Sequence, residues 1–229
     1  MKKTIKSVLC LAVCLLFVSS VTAQKKVTTA KTFTTSGYFN DIEMTSTESG
    51  DYGGMAVYLT ESDGQMFALV TVAEGSIGDP VLLEAKVTGK NMRGIEFTIP
   101  NENGDRKYTG TVSATGLTLN NDGSKTVLKR GCANTYSNIS VGSGGDYGGT
   151  EVYITDSGGT WFALVTIAEG VLLRPVLVNA DVTGKNYDKI AFTLPNENGE
   201  RKFTGTIGKT NLTLNQSGTR SILKAKCYK

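Results

Sequence analysis

The feature that most constrains this chain is that it repeats itself. Gly50-Asp51-Tyr52-Gly53-Gly54 recurs as Gly145-Asp146-Tyr147-Gly148-Gly149, and Pro100-Asn101-Glu102-Asn103-Gly104 recurs as Pro195-Asn196-Glu197-Asn198-Gly199. From Gly50 to Cys132 and from Gly145 to Cys227 the copies align without a gap, and 49 of the 83 paired positions are identical. Self-similarity at one fixed period is the mark of a duplicated structural unit. The period is too long for a solenoid repeat and suits a small domain, so the reading is two tandem domains, 38–132 and 133–229.

Within each copy, turn signals punctuate short runs of alternating residues. In copy 1 the strands are read as 38–45, 55–60, 66–74, 81–88, 93–99, 106–113, 116–120 and 125–129. Asn103-Gly104 and Asp122-Gly123 read as type I′ hairpin turns, whose two central residues both need positive φ. Gly50-Asp51-Tyr52-Gly53-Gly54 reads as a glycine-permitted turn between strands. Val81, Leu83, Ala85 and Val87 alternate with Leu82, Glu84, Lys86 and Thr88, which puts an aliphatic core on one face and a solvated surface on the other. The expected fold is all-β, with two small antiparallel meanders, each an eight-stranded up-and-down barrel; a two-sheet sandwich is the second choice. The layout is similar to that of the lipocalin and avidin barrels, although neither family's motif is found.

The chain opens with Lys2, Lys3 and Lys6, continues with an apolar run over 8–18, and reaches small residues at Ala23. This is the layout of a secretory signal over 1–23, cut before Gln24 and followed by a Thr-rich leader over 24–37. The apolar run falls short of the roughly 20 residues that span a bilayer, so no stable membrane insertion is expected after cleavage. The expected location is exported, periplasmic or extracellular. The 24 basic residues exceed the 21 acidic ones only by the three lysines of the signal. Without them the chain is balanced, which argues against nucleic acid as a partner. Cys10 and Cys14 lie in the signal, leaving Cys132 and Cys227, for which an oxidising compartment permits one disulfide. Whether their sulfurs meet is open at this level.

The chemistry available is narrow. The chain has no histidine, which removes Ser-His-Asp and Cys-His catalysis and His-ligated zinc. Glu74 with Glu102, and Glu169 with Glu197, could in principle form carboxylate pairs, but nothing in the spacing sets them opposite each other. The Gly-Asp-Tyr-Gly-Gly segment lacks the Lys-Ser/Thr of a phosphate loop. The oxygens of 101–105 lack the twelve-residue EF-hand pattern. No cofactor and no metal ligand set is read, and no enzyme is expected.

What remains is surface. Tyr58 and Tyr153 run opposite in phase to Val57 and Val152. Met66 and Trp161 run opposite in phase to Phe67 and Phe162, which are read as core. Together with Tyr52 and Tyr147 these six side chains are the candidate ligand-binding residues, set on the outer face or at a barrel mouth. The expected function is an exported, non-catalytic binding or interaction protein of the bacterial cell envelope, its partner an unknown envelope protein or glycan. The alternatives are a small lipophilic-ligand carrier using the barrel interior, or a secreted enzyme inhibitor.

Overall fold

The computed structural model describes residues 34–102, 104–196 and 199–227. The segment read as a signal, 1–23, and the leader up to residue 33 lie outside the described residues.

Eighteen strands and no helix occur among the described residues. In copy 1 they are β1 (Gly37–Asn40), β2 (Glu43–Ser46), β3 (Asp51–Ser62), β4 (Gln65–Ile77), β5 (Val81–Thr88), β6 (Gly94–Ile99), β7 (Arg106–Val112), β8 (Gly116–Asn121) and β9 (Ser124–Gly131). In copy 2 they are β10 (Asn134–Ser137), β11 (Ser140–Val141), β12 (Tyr147–Ser157), β13 (Thr160–Leu172), β14 (Val176–Thr183), β15 (Lys189–Asn196), β16 (Gly199–Ile207), β17 (Asn211–Gln216) and β18 (Thr219–Lys226). Each copy is an antiparallel meander from β3 to β9, or from β12 to β18. The first strand closes it by pairing on both sides: β1 with β9 and β3, β10 with β18 and β12. The result is two closed eight-stranded barrels in tandem, and from Thr34 onward they form one compact unit.

The turns follow from residue chemistry. The hairpins at Asp63-Gly64, Asp122-Gly123 and Ser217-Gly218 all have positive φ at both central positions, as the right-handed twist of the flanking strands demands. At 101–104 the turn sits one residue earlier than the Asn103-Gly104 reading, because the Gly104 amide donates to the Asn101 carbonyl. The Gly50–Gly54 segment also differs from its reading as a turn. Gly50 ends a turn, but 51–54 extend β3. The first strand, read as continuous over 38–45, breaks after Asn40. There the Asp41 carboxylate accepts from the Met55 amide at 2.7 Å, and Asn138 repeats this on Thr150 at 2.7 Å. Gly54 sits against this break with φ +109, and a Cβ there would lie 2.6 Å from the Asp41 carbonyl oxygen. Only glycine fits so close an approach.

The interiors are filled. Phe39, Val57, Leu59, Val112, Leu117 and Leu128 are almost fully buried in barrel 1, and Val152, Ala163, Ile190, Phe192, Leu212 and Leu223 do the same in barrel 2. Eight strands enclose just enough space for such side chains. The Arg130 guanidinium lies 4.5 Å from the Phe39 ring centroid and donates to the Ser36 and Ser113 carbonyls, closing one end of barrel 1. In barrel 2 the Tyr136 hydroxyl donates to the Gly208 carbonyl. At another rim, equivalent recesses of about 150 and 100 Å³ lie beside the ion pairs Glu74–Arg106 and Glu169–Arg201.

The strand register corrects one phase. Thr60 pairs with Phe67 and Tyr58 with Leu69, so Phe67 and Leu69 share the outer face with Tyr58, while Met66, Ala68 and Val70 face inward. Strand β4 is apolar on both faces because its outer face is covered by the other barrel, and alternation then stops marking the core.

Candidate functional site

The outer faces of β3, β4 and β5 meet those of β12, β13 and β14 in a seam whose centre is Tyr58, Leu69, Tyr153 and Leu164, with Tyr38, Leu82, Ala133 and Leu177 packed around them. The contacts are reciprocal. Ser62 Oγ donates to the Leu172 and Leu173 carbonyls at 3.1 and 2.7 Å, while Ser157 Oγ donates to those of Ile77 and Gly78. Each residue thus meets the equivalent of its own neighbour, the arrangement of a two-fold dimer written into one chain. Cys132 and Cys227, each just past the last strand of its copy, are joined by a disulfide.

Local symmetry breaks where the copies diverge. Copy 2 carries Glu151 and Lys226 where copy 1 carries Ala56 and Gly131. Glu151 is 7% exposed; it accepts from the Tyr58 hydroxyl at 3.2 Å and from Lys226 Nζ at 2.9 Å. A carboxylate so far out of water is held by such charge-assisted partners. Across β10, Thr135 stands in register with Tyr153 and Lys226, and its buried hydroxyl has no hydrogen-bond partner among the described residues. Glu84 and Arg174 form a second one-sided link at 2.7 Å, with the guanidinium 5.2 Å from the Phe67 ring centroid.

Of these side chains, Glu151 and Lys226 line a cleft of about 520 Å³ between the barrels. Copy 1 contributes Thr60, Glu61 and Asp63; copy 2 contributes Tyr147, Glu151, Thr166 and Lys226. Next to it, burial raises the hydroxyl pKa of Tyr153, and burial with the nearby Asp156 carboxylate raises that of Tyr38.

The six sequence candidates therefore fall into separate places. Tyr58 and Tyr153 come together, stacked at the centre of the seam and buried. Tyr147 is 39% exposed and lines the cleft; Tyr52, its equivalent, is half-buried on β3 beside Gly75. Met66 is buried at one end of barrel 1, and Trp161 is half-buried against the core of barrel 2. Glu151 and Lys226 escaped the sequence reading. Their signal was the departure of copy 2 from copy 1 at two positions that share one cleft.

No family model and no curated protein matches the chain. Among solved structures it is similar to the DNA polymerase sliding clamp from Pseudomonas aeruginosa, with and without ligand, at 10% identity and a TM-score of 0.17, over 84% of this chain and 56% of the clamp chain. The same values of identity and TM-score relate it to the DNA polymerase III subunit beta of that organism over 82% of this chain. The chain spans little more than half the length of those proteins. A likeness this faint bears on neither fold nor function.

Proposed function

We propose that this is an exported, non-catalytic interaction protein of the bacterial cell envelope, which binds through the cleft between its two barrels. The observation that carries the reading is the cleft itself: about 520 Å³, walled by both copies, with Tyr147 at its edge and the Glu151–Lys226 pair within. The rim recesses beside the two ion pairs, about 150 and 100 Å³, are smaller than the roughly 300 Å³ at which ligand pockets begin, whereas a groove of about 600 Å³ along β5 and β6 opens toward the core of barrel 1. The cleft joins charged and polar side chains of both copies, whereas that groove belongs to one copy alone, and this ranks the carrier reading second. The lysine-led apolar segment at the N-terminus supports export. The chain's lack of histidine supports binding over turnover.

The test is retention of the protein on purified cell-wall glycan and on outer-membrane fractions. Tyr147→Ala, at an exposed position, is expected to reduce retention at least tenfold while leaving the thermal midpoint unchanged. Equal retention of Tyr147→Ala and the parent would overturn the cleft as the binding surface.

A further inference from the structure

Barrel 1 has an open groove at the place where, in barrel 2, the Trp161 indole packs against the core and the Tyr187 ring stands beside it at the surface. The groove, about 600 Å³, lies along β5 and β6 and is lined by Met66, Leu83, Ala85, Val87, Met92 and Phe97. Met66 at its floor is 4% exposed, while Met92 at its lip is 65% exposed. In the repeat, Met66 corresponds to Trp161 and Met92 to Tyr187. There the Trp161 indole packs against the core of barrel 2, with its centroid 6.1 Å from that of the Tyr187 ring.

The backbone differs in the same place. The β14–β15 ladder extends through Ala180↔Phe192, whereas β5–β6 stops at Lys86↔Glu96, one rung short of Ala85 and Phe97. The walls are otherwise repeated: Ala85, Val87, Phe97 and Thr98 recur as Ala180, Val182, Phe192 and Thr193. Two thioethers thus stand in walls that elsewhere hold an indole and a phenol. Methionine sulfur makes favourable contacts with aromatic rings, and its unbranched chain adapts to an incoming shape.

We propose that this groove is a binding site for an aromatic ligand of indole type, which takes in barrel 1 the place that Trp161 and Tyr187 take in barrel 2. The polar edge of such a ring would face the rim, where Glu84, Lys86 and Glu96 stand. The site adjoins the cleft between the barrels at Gly64 but shares no side chain with it, and does not rest on the envelope reading.

The test uses the full two-barrel chain labelled with 13C at the methionine methyls and titrated with indole. Saturable shifts of Met66 and Met92 at one equivalent are expected, with Met44, 49% exposed elsewhere on the surface, as the internal control. Met66→Trp with Met92→Tyr copies the aromatic pair of barrel 2 into barrel 1, and is expected to weaken indole binding at least tenfold. Trp161→Met with Tyr187→Met is expected to raise the stoichiometry from one to two. Shifts at Met66 no larger than at Met44, or undiminished binding by the first double variant, would overturn the proposal. If that variant loses its fold by circular dichroism, the second pair decides: two equivalents support the site and one rejects it.

Discussion

The Tyr58 and Tyr153 rings stack on each other with centroids 4.3 Å apart and planes 3° from parallel, and the two tyrosines occupy the same position in the two copies of the repeat. A residue that meets its own duplicate sits on a two-fold axis, so one substitution in an ancestral unit would have been felt twice at this contact.

Truncation of either ring should therefore be costly. Tyr153→Ala opens a void at the centre of the seam and is expected to destabilise the protein by about 3–5 kcal/mol, the range for large aromatic side chains in cores. Tyr58→Phe keeps the stack and removes only the hydroxyl given to Glu151. It should cost about 1–2 kcal/mol, since a hydrogen bond to a charged acceptor is worth somewhat more than a neutral one. Chemical denaturation of the two variants checks both the size and the order.

The disulfide closes a loop of 95 residues. In the chain-entropy picture a loop of this length stabilises the folded state by about 4–5 kcal/mol, mainly by restricting the unfolded chain. Cys132→Ser with Cys227→Ser should lower the denaturant midpoint accordingly, and reductant should reproduce the shift in the parent but not in the variant. A midpoint unmoved by reductant would mean that the bridge adds no stability.

Alkaline pH should weaken the seam and the core of barrel 2. The hydroxyls of Tyr38, Tyr136 and Tyr153 are raised above their ordinary value of about 10, chiefly by burial. A group whose folded pKa is raised gives its full stability below the unfolded value and loses it as pH rises towards the folded one. Stability should thus be flat up to about pH 10 and fall beyond it. Phenolate absorbance should show a late-titrating class of tyrosines, and Tyr153→Phe should reduce both that class and the fall.

Gly54→Ala tests the strand break. With φ +109 and the Asp41 carbonyl oxygen where a Cβ would go, the substitution forces the backbone apart and is expected to cost more than about 2 kcal/mol. Gly64→Ala is the comparison. Its φ of +73 is also positive, but no atom lies within 4 Å of the added carbon, so its cost should be about 1 kcal/mol. Equal costs at the two sites would remove the steric account.

The repeat, the strand order and the turn at Asp122-Gly123 could be read from sequence because each is encoded locally, in alternation and in residues that tolerate positive φ. The eight-stranded closure was legible for the same reason, since a meander of short strands has few ways to hide its edges. The phase of β4 was not. Met66-Phe67-Ala68-Leu69-Val70 is apolar without interruption, and a strand covered on both sides carries no mark of which side is the interior. Nor was the seam: Tyr58 and Tyr153 read as outer-face aromatics, which they are, but a single sequence does not state that each outer face covers the other. The cleft pair Glu151 and Lys226 was hidden further, because its members are 75 residues apart and meet only across β10.

Each barrel is sealed by its own first and last strands, β1 on β9 and β10 on β18. As the chain is made from its N-terminus, copy 1 has every strand it needs to close before β12 emerges. Closed on its own, it would leave Tyr58, Leu69 and Leu82 bare to water, a docking face that fits copy 2. Covalent linkage supplies copy 2 in cis at high local concentration, and so guards a newly closed barrel against pairing with its twin on a neighbouring chain.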